Sequence, residues 1–324
     1  MRLTTENIFV FVLDQMAWLL VVLFYVSFAI LNPNAMLNLD TFRFLLYSSV
    51  PIGFLVLAES IPLITGNFDL SIGQITGLVA MLSGYILMRN LHLNPIFAFI
   101  MPFAFGALCG MLNGFLVGTV GLNPFLATLA TFLFFDGLTI MIHPQSIWGL
   151  DLPKYYTSFG GIDYVATPFF IATLIILGLG FRYTRVGIHI YATGGDRESA
   201  MMLGIKASSV IFLAYTIGGF FSGASALIYT GFCNGIPLNL ADGAIFPAFA
   251  GAVIGGVSLT GGRGSVINTF GGCLVVGTLE AGLTMFAVSP ELRKVSTGLL
   301  VIFAILLDRV RIAYRDRLLR PKST

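Results

Sequence analysis

Charge is what this sequence most lacks. Only 10% of its 324 residues are Asp, Glu, Lys or Arg, against about 25% in a soluble globular domain. With 57% hydrophobic residues and a mean hydropathy of +0.93, the chain cannot coat a water-facing surface, and its solvent is largely lipid. Cysteine is scarce. Cys109, Cys233 and Cys273 lie in or beside apolar runs, are odd in number and fit no metal or disulfide spacing, so they read as small core residues. His92, His143 and His189 are scattered and make no H-E-x-x-H zinc pattern, and no G-x-S-x-G elbow occurs, so catalysis finds little support, with an intramembrane enzyme the minor alternative. A net charge of +2 leaves no nucleic-acid footprint. A phosphate-cradling loop is missing too. GGVSLTGGRG (255–264) holds no lysine, and the one Lys-Ser-Thr, Lys322 to Thr324, follows no glycines, so the chain has no P-loop of its own.

What is present is long apolar runs. A spanning helix needs roughly 20 apolar residues. About ten such runs occur, at 9–31, 42–64, 72–88, 95–120, 124–143, 167–181, 209–231, 245–259, 265–286 and 295–308; the eighth is short and rich in Gly and Ala. The alternating segments of roughly ten residues that mark a membrane β-barrel are absent. The chain therefore reads as an all-α polytopic membrane protein of about ten helices, one domain over 1–324. Met1 to Glu6 is short and polar and the first run is long enough to stay as a span, so no cleavable signal is expected. With both ends cytoplasmic, twelve Lys and Arg fall inside and five outside, the bias the positive-inside rule requires. Six of the twelve form a basic tail over 309–324. The outer loop 144–166, with Trp148, Tyr155, Tyr156 and Tyr164, is expected at the interface.

Four segments stand out. Gly106, Gly110, Gly114 and Gly118 recur every four residues and make a groove for close helix approach, for static packing or for sliding, with Asn113 beside it. ITGNFDLSIG (64–73) joins two apolar runs with almost no loop. Gly66 and Gly73 permit a break, and Asn67, Asp69 and Ser71 supply polar groups. This is either a break at membrane depth, sheltered by protein or water, or a tight cytoplasmic turn with Asp69 as N-cap. Glu59, inside the preceding run, favours the first, because an acid within a span faces protein or water. Asp136 is expected to be paired in the bundle, Glu280 is open between pairing and lining a passage, and Asp14 is expected near the inner interface. In the inner loop 182–208, Gly194 and Gly195 break the chain, Asp196 can cap a helix, Glu198 suits its positive end and Gly204 can end it. Between them a two-turn helix carries Met201 and Met202. So short a helix is marginal alone and rests on the bilayer surface or in the groove of a soluble protein.

Together, ITGNFDLSIG, ATGGDRESAMMLGI and AVIGGVSLTGGRGSVINTFGG resemble, in order and spacing from about 45 to 310, the permeases of ATP-binding-cassette importers for simple sugars such as ribose, xylose and galactose. Asn67 stands where that family usually has glycine, and Asp196 where it has asparagine. The resemblance implies a permease that translocates a pentose- or hexose-like sugar across the cytoplasmic membrane, with both termini inside, no catalysis and no cofactor of its own. ATP would be bound by partner ATPase subunits. A second permease, identical or homologous, and an extracytoplasmic substrate-binding protein complete the implied assembly. Gly194, Gly195, Asp196, Glu198, Met201 and Gly204 would then belong to a coupling helix docked on the ATPase, and Asn67, Asp69 and Ser71, with Glu59 and Asn113 behind them, would line the translocation path. Related permeases carry nucleosides, a quorum-signal furanone or branched-chain amino acids. Rival classes are an ion-coupled secondary transporter and a receptor subunit with no path.

Overall fold

A computed structural model describes residues 12, 13 and 15–319, with side chains as far as Tyr314. Asp14 and the tail residues Arg315, Arg317, Arg320 and Lys322 lie outside the described side chains. The helices run α1 Met16–Leu31, α2 Pro33–Met36, α3 Leu39–Ile64, α4 Ile72–Arg89, α5 Pro95–Gly114, α6 Pro124–Ile142, α7 Lys154–Gly161, α8 Asp163–Tyr183, α9 Arg185–Gly195, α10 Arg197–Met202, α11 Ala207–Phe232, α12 Ile245–Ile254, α13 Val266–Met285 and α14 Pro290–Leu319. One short antiparallel pair, β1 Ile147–Trp148 with β2 Gly235–Ile236, is the only sheet among the described residues. Each of the ten predicted spans falls on a helix. Among the described residues seven helices are long and apolar enough to cross a membrane: α3, α4, α5 with its π-helical extension Phe115–Thr119, α6, α8, α11 and α13.

Helix α12 differs from expectation. The predicted span 245–259 stops at Ile254, and ten residues at about 1.5 Å each cover only half a bilayer. Its C-terminal carbonyls are met by a closing turn, in which the Gly256 and Val257 amides donate to Val253 and Ala252 (2.9 and 3.1 Å), and by a cation. Buried Arg311 of α14 donates from Nη1 to the Val253 carbonyl (2.8 Å), from Nη2 to that of Ile254 (3.1 Å), and from Nε and Nη2 to that of Leu13 (3.0 and 2.8 Å). A guanidinium there also opposes the negative end of the helix. Arg311→Leu takes the guanidinium donors from the Ile254 and Leu13 carbonyls, at about 1–3 kcal/mol each, whereas the Val253 carbonyl keeps the Gly256 amide (2.9 Å). The purified variant is expected to unfold several degrees below the wild type in a detergent thermal melt.

The glycine groove is filled. A Cβ on Gly114 would come within 2.6 Å of the Phe212 carbonyl and one on Gly118 within 2.7 Å of the Ser208 carbonyl; Gly106 and Gly110 meet the Gly219 and Tyr215 carbonyls more closely still. Helix α11 therefore lies backbone-to-backbone along α5, the close approach that small residues permit where no hydrophobic effect drives helices together. The outer loop also departs from its predicted place. Trp148 and Tyr164 are exposed, but Tyr156 is fully buried, because α7 packs on α11 through Gly160 and Gly231. The three thiols are free; Cys273 is buried, Cys109 half-buried, and Cys233 exposed rather than in the core.

Candidate functional site

Two prolines inside α3, Pro51 and Pro62, remove backbone donors, and the second prepares the end of the helix. The Pro62 carbonyl accepts from the Thr65 amide (2.9 Å), the Asn67 amide (3.0 Å) and the Thr65 hydroxyl (2.7 Å), which ties the chain off. Gly66 then takes a left-handed turn at φ +77°. Seven residues, 65–71, pass before α4 begins. Their backbone is satisfied by side chains from other helices: the Tyr215 hydroxyl of α11 donates to the Phe68 carbonyl (2.8 Å), and the Leu70 amide donates to Thr128 Oγ1 of α6 (3.1 Å). The segment is thus a break sheltered by protein, as unpaired backbone within a bundle requires.

Its centre is Asp69. The Ser71 amide and hydroxyl donate to Asp69 Oδ1 at 2.9 and 2.7 Å, and Asn113 Nδ2, on α5, donates to both carboxylate oxygens at 3.3 Å and to Ser71 Oγ at 2.7 Å. Asp69, Ser71, Asn113 and Glu59 are all fully buried. Asn67 is half-buried, and its amide turns back to the Thr65 carbonyl and hydroxyl. The helix N-cap is Ser71 rather than Asp69; Asp69 precedes it and holds it. Glu59, on α3, lies within electrostatic reach of Asp69, and Tyr215 within reach of both.

A second break, which the sequence reading did not single out, faces the first. Between β2 and α12 the chain runs through successive turns, in which the Leu240, Asp242 and Ala244 amides donate to the Pro237, Asn239 and Ala241 carbonyls (3.1, 3.2 and 3.1 Å). Ile236 packs at Gly84 of α4, whereas a Cβ on Gly73, eleven residues earlier, would meet the Ala241 carbonyl at 2.7 Å. The segment thus meets α4 near both Gly84 and Gly73, and Asn239 and Asp242 are exposed on it. N-L-A-D-G, a polar run between two apolar ones, was the signal.

The three quoted motifs meet at one point. The Gly262 amide donates to the Ile64 carbonyl (2.8 Å). A Cβ on Gly194 would run into that same carbonyl and come within 2.6 Å of the Gly262 nitrogen, and one on Gly261, at φ +83°, would lie 2.7 Å from the Gly194 carbonyl. The inner loop is accordingly more helical than expected: Gly194 and Gly195 end α9, and α10 follows after a single residue, Asp196. Asp196 caps α10, accepting from the Glu198 and Ser199 amides (3.0 and 3.3 Å) and the Ser199 hydroxyl (2.8 Å). Those bonds, the Ser199 hydroxyl first, hold its carboxyl below the usual value. Gly204, at φ +82°, ends the turn. Met201, Met202 and Leu203 are 50%, 85% and 80% exposed.

A family model described as the permease component of branched-chain amino acid transport systems matches residues 41–305, a stretch that contains both breaks and the glycine junction. The chain belongs to this family. The permease is 31% identical over 290 residues to the ribose import permease protein of Bacillus subtilis (strain 168), covering 88% of this chain and 89% of that one. It is 26% and 27% identical, over 297 residues and 88% of each chain, to the autoinducer 2 import system permease proteins of Photorhabdus temperata and Escherichia coli (strain K12). No solved structure matches. Two acids of the permease stand apart from the site. Glu280, half-buried on α13, has Arg293 within electrostatic reach. Asp136 of α6 was expected to be paired; it is exposed, and among the described residues it makes no bond.

Proposed function

We propose that this chain is the permease subunit of an ATP-driven importer for a hydroxyl-rich solute, a pentose- or hexose-like sugar, in the cytoplasmic membrane with both termini inside. The names of its relatives support the sugar; autoinducer 2 is the second reading, favoured by the two relatives so named. Energy comes from separate ATPase subunits, and recognition from an extracytoplasmic binding protein. A second permease completes the path. The exposed face of α6 supports that last partner: a carboxylate such as Asp136 within a span is costly against lipid, so that face is covered by protein or by the water of the path. Asn67, Asp69 and Ser71, with Glu59 and Asn113 behind them, form the gate, and Asn239 and Asp242 bring polar groups to its edge.

The observation that carries this reading is α10. Three apolar side chains, Met201, Met202 and the following Leu203, protrude at the end of a six-residue helix that is too short to stand alone and is fastened through Gly194 and Gly262 to the break. Such a patch is a docking knob, and its motion reaches the gate directly. The test is capture of the complex from gently solubilised membranes, followed by uptake of labelled ribose in competition with autoinducer 2. Wild-type permease is expected to bring an ATPase with it, and Met202→Glu to lose that partner while still inserting. Uphill transport by the purified chain alone would favour the ion-coupled alternative instead.

A further inference from the structure

We propose that Glu59 is the seat of an exchangeable proton, enclosed between α3, α11 and the break at Asp69. The inference rests on hydrogen-bond accounting. Both carboxyl oxygens of Glu59 are buried without a partner, and so is Asn113 Oδ1. The Asp69 amide is the one donor turned toward Glu59; the others are spent, because the Ser71 amide, the Ser71 hydroxyl and Asn113 Nδ2 go to Asp69, and the Tyr215 hydroxyl goes to the Phe68 carbonyl. The cluster therefore has acceptors in surplus and lacks hydrogen. A buried ionised carboxylate with one amide nearby, no bond within hydrogen-bonding distance and no cation is costly in a protein interior. Protonation forms one O–H bond on Glu59, supplies a donor and cancels one charge; release returns the proton to water.

A proton suits the place better than a metal ion. Val56, Ala58 and Ile61 around Glu59 on α3 are fully or almost fully buried, and a proton occupies no volume. Nor do three or more Asp, Glu, His or Cys gather anywhere among the described residues. The titratable groups facing the site are Asp69 of the break and Tyr215 of α11, with Cys109 of α5 in reach of Asp69. Exchange follows from the connections of the break. Asp69 lies five residues beyond Ile64, whose carbonyl is held by Gly262 beside Gly194. A displacement of α9 and α10 is therefore transmitted to Asp69 and changes what Glu59 faces. By reciprocity, a proton bound more tightly in one state favours that state.

The occupancy itself does not depend on the importer reading, although its role in a transport cycle does. The test is infrared spectroscopy of the purified, lipid-reconstituted permease in light and heavy water. Wild type is expected to show a protonated-carboxyl carbonyl band that shifts on deuteration and is lost as pH rises. Glu59→Gln loses that band, and Glu59→Asp, which keeps a carboxyl should the glutamine variant fail to fold, moves it. A band unchanged in both variants, no such band in wild type, or a band abolished by sodium ions at fixed pH would overturn the proposal. Failure of an ATPase to co-purify would sink the importer reading and leave the infrared result standing.

Discussion

Gly194→Val is expected to abolish most ATP-driven uptake, whereas Gly195→Ala leaves it near wild type. The two glycines are neighbours with opposite surroundings. A Cβ at 194 has no room, because the Ile64 carbonyl occupies its position and the Gly262 nitrogen lies 2.6 Å away; at 195 the nearest atom, Gly262 Cα, is 4.0 Å away. Valine at 194 must push α9 from the end of α3 and break the hydrogen bond from Gly262 to Ile64. Overpacking of this kind costs about 1–3 kcal/mol, and a coupling energy of that size corresponds to roughly 5–150-fold in the linked activity. The loss is expected in uptake per ATP hydrolysed, measured in proteoliposomes containing the whole complex, with ATPase subunits still bound because α10 is intact. Equal behaviour of the two variants would mean that the junction does not transmit force.

Much of this was legible in the sequence, and the reasons are local. Apolar run length placed the seven helices that are long and apolar enough to cross a membrane among the described residues, since one residue type in bulk determines whether a helix crosses lipid. The break at 65–71 was visible as Gly66, Asn67, Asp69 and Ser71 between two such runs. Asp196 and Gly204 were readable as cap and stop because their roles depend on neighbours within four residues. What was hidden is what depends on distant chain. Nothing near Gly194 says that it, rather than Gly195, touches Ile64. Thr128 and Tyr215, which satisfy the backbone of the break, sit in ordinary apolar helices 58 and 147 residues from their partners. Helix α12 looked like a span because its apolar residues run on past Ile254; Arg311, 57 residues later, receives its end. Asp136 looked paired because an acid in a span should be, but it is exposed and makes no bond among the described residues.

Asp69→Asn is expected to lower uptake more than tenfold, and a second change, Asn113→Asp, is expected to restore much of the lost stability. The replacement keeps Oδ1 for the Ser71 amide and hydroxyl but turns the second oxygen into an NH2 facing the Asn113 NH2, so donor meets donor in a fully buried site. An unmet buried donor costs about 1–3 kcal/mol. With aspartate at 113 the pair is again amide against carboxylate, reversed, and the Ser71 hydroxyl can rotate to donate to the new acceptor. The four variants form a cycle whose interaction energy for contacting residues is about 0.5–3 kcal/mol, read from thermal melts of the purified permease. Uptake separates the two roles of Asp69. Recovery of both stability and uptake in the double variant assigns Asp69 to holding the break closed through Asn113. Recovery of stability without uptake assigns its charge, at position 69 and no other, to the path. A double variant no better than Asp69→Asn would show that the hydrogen bond between α5 and the break carries neither.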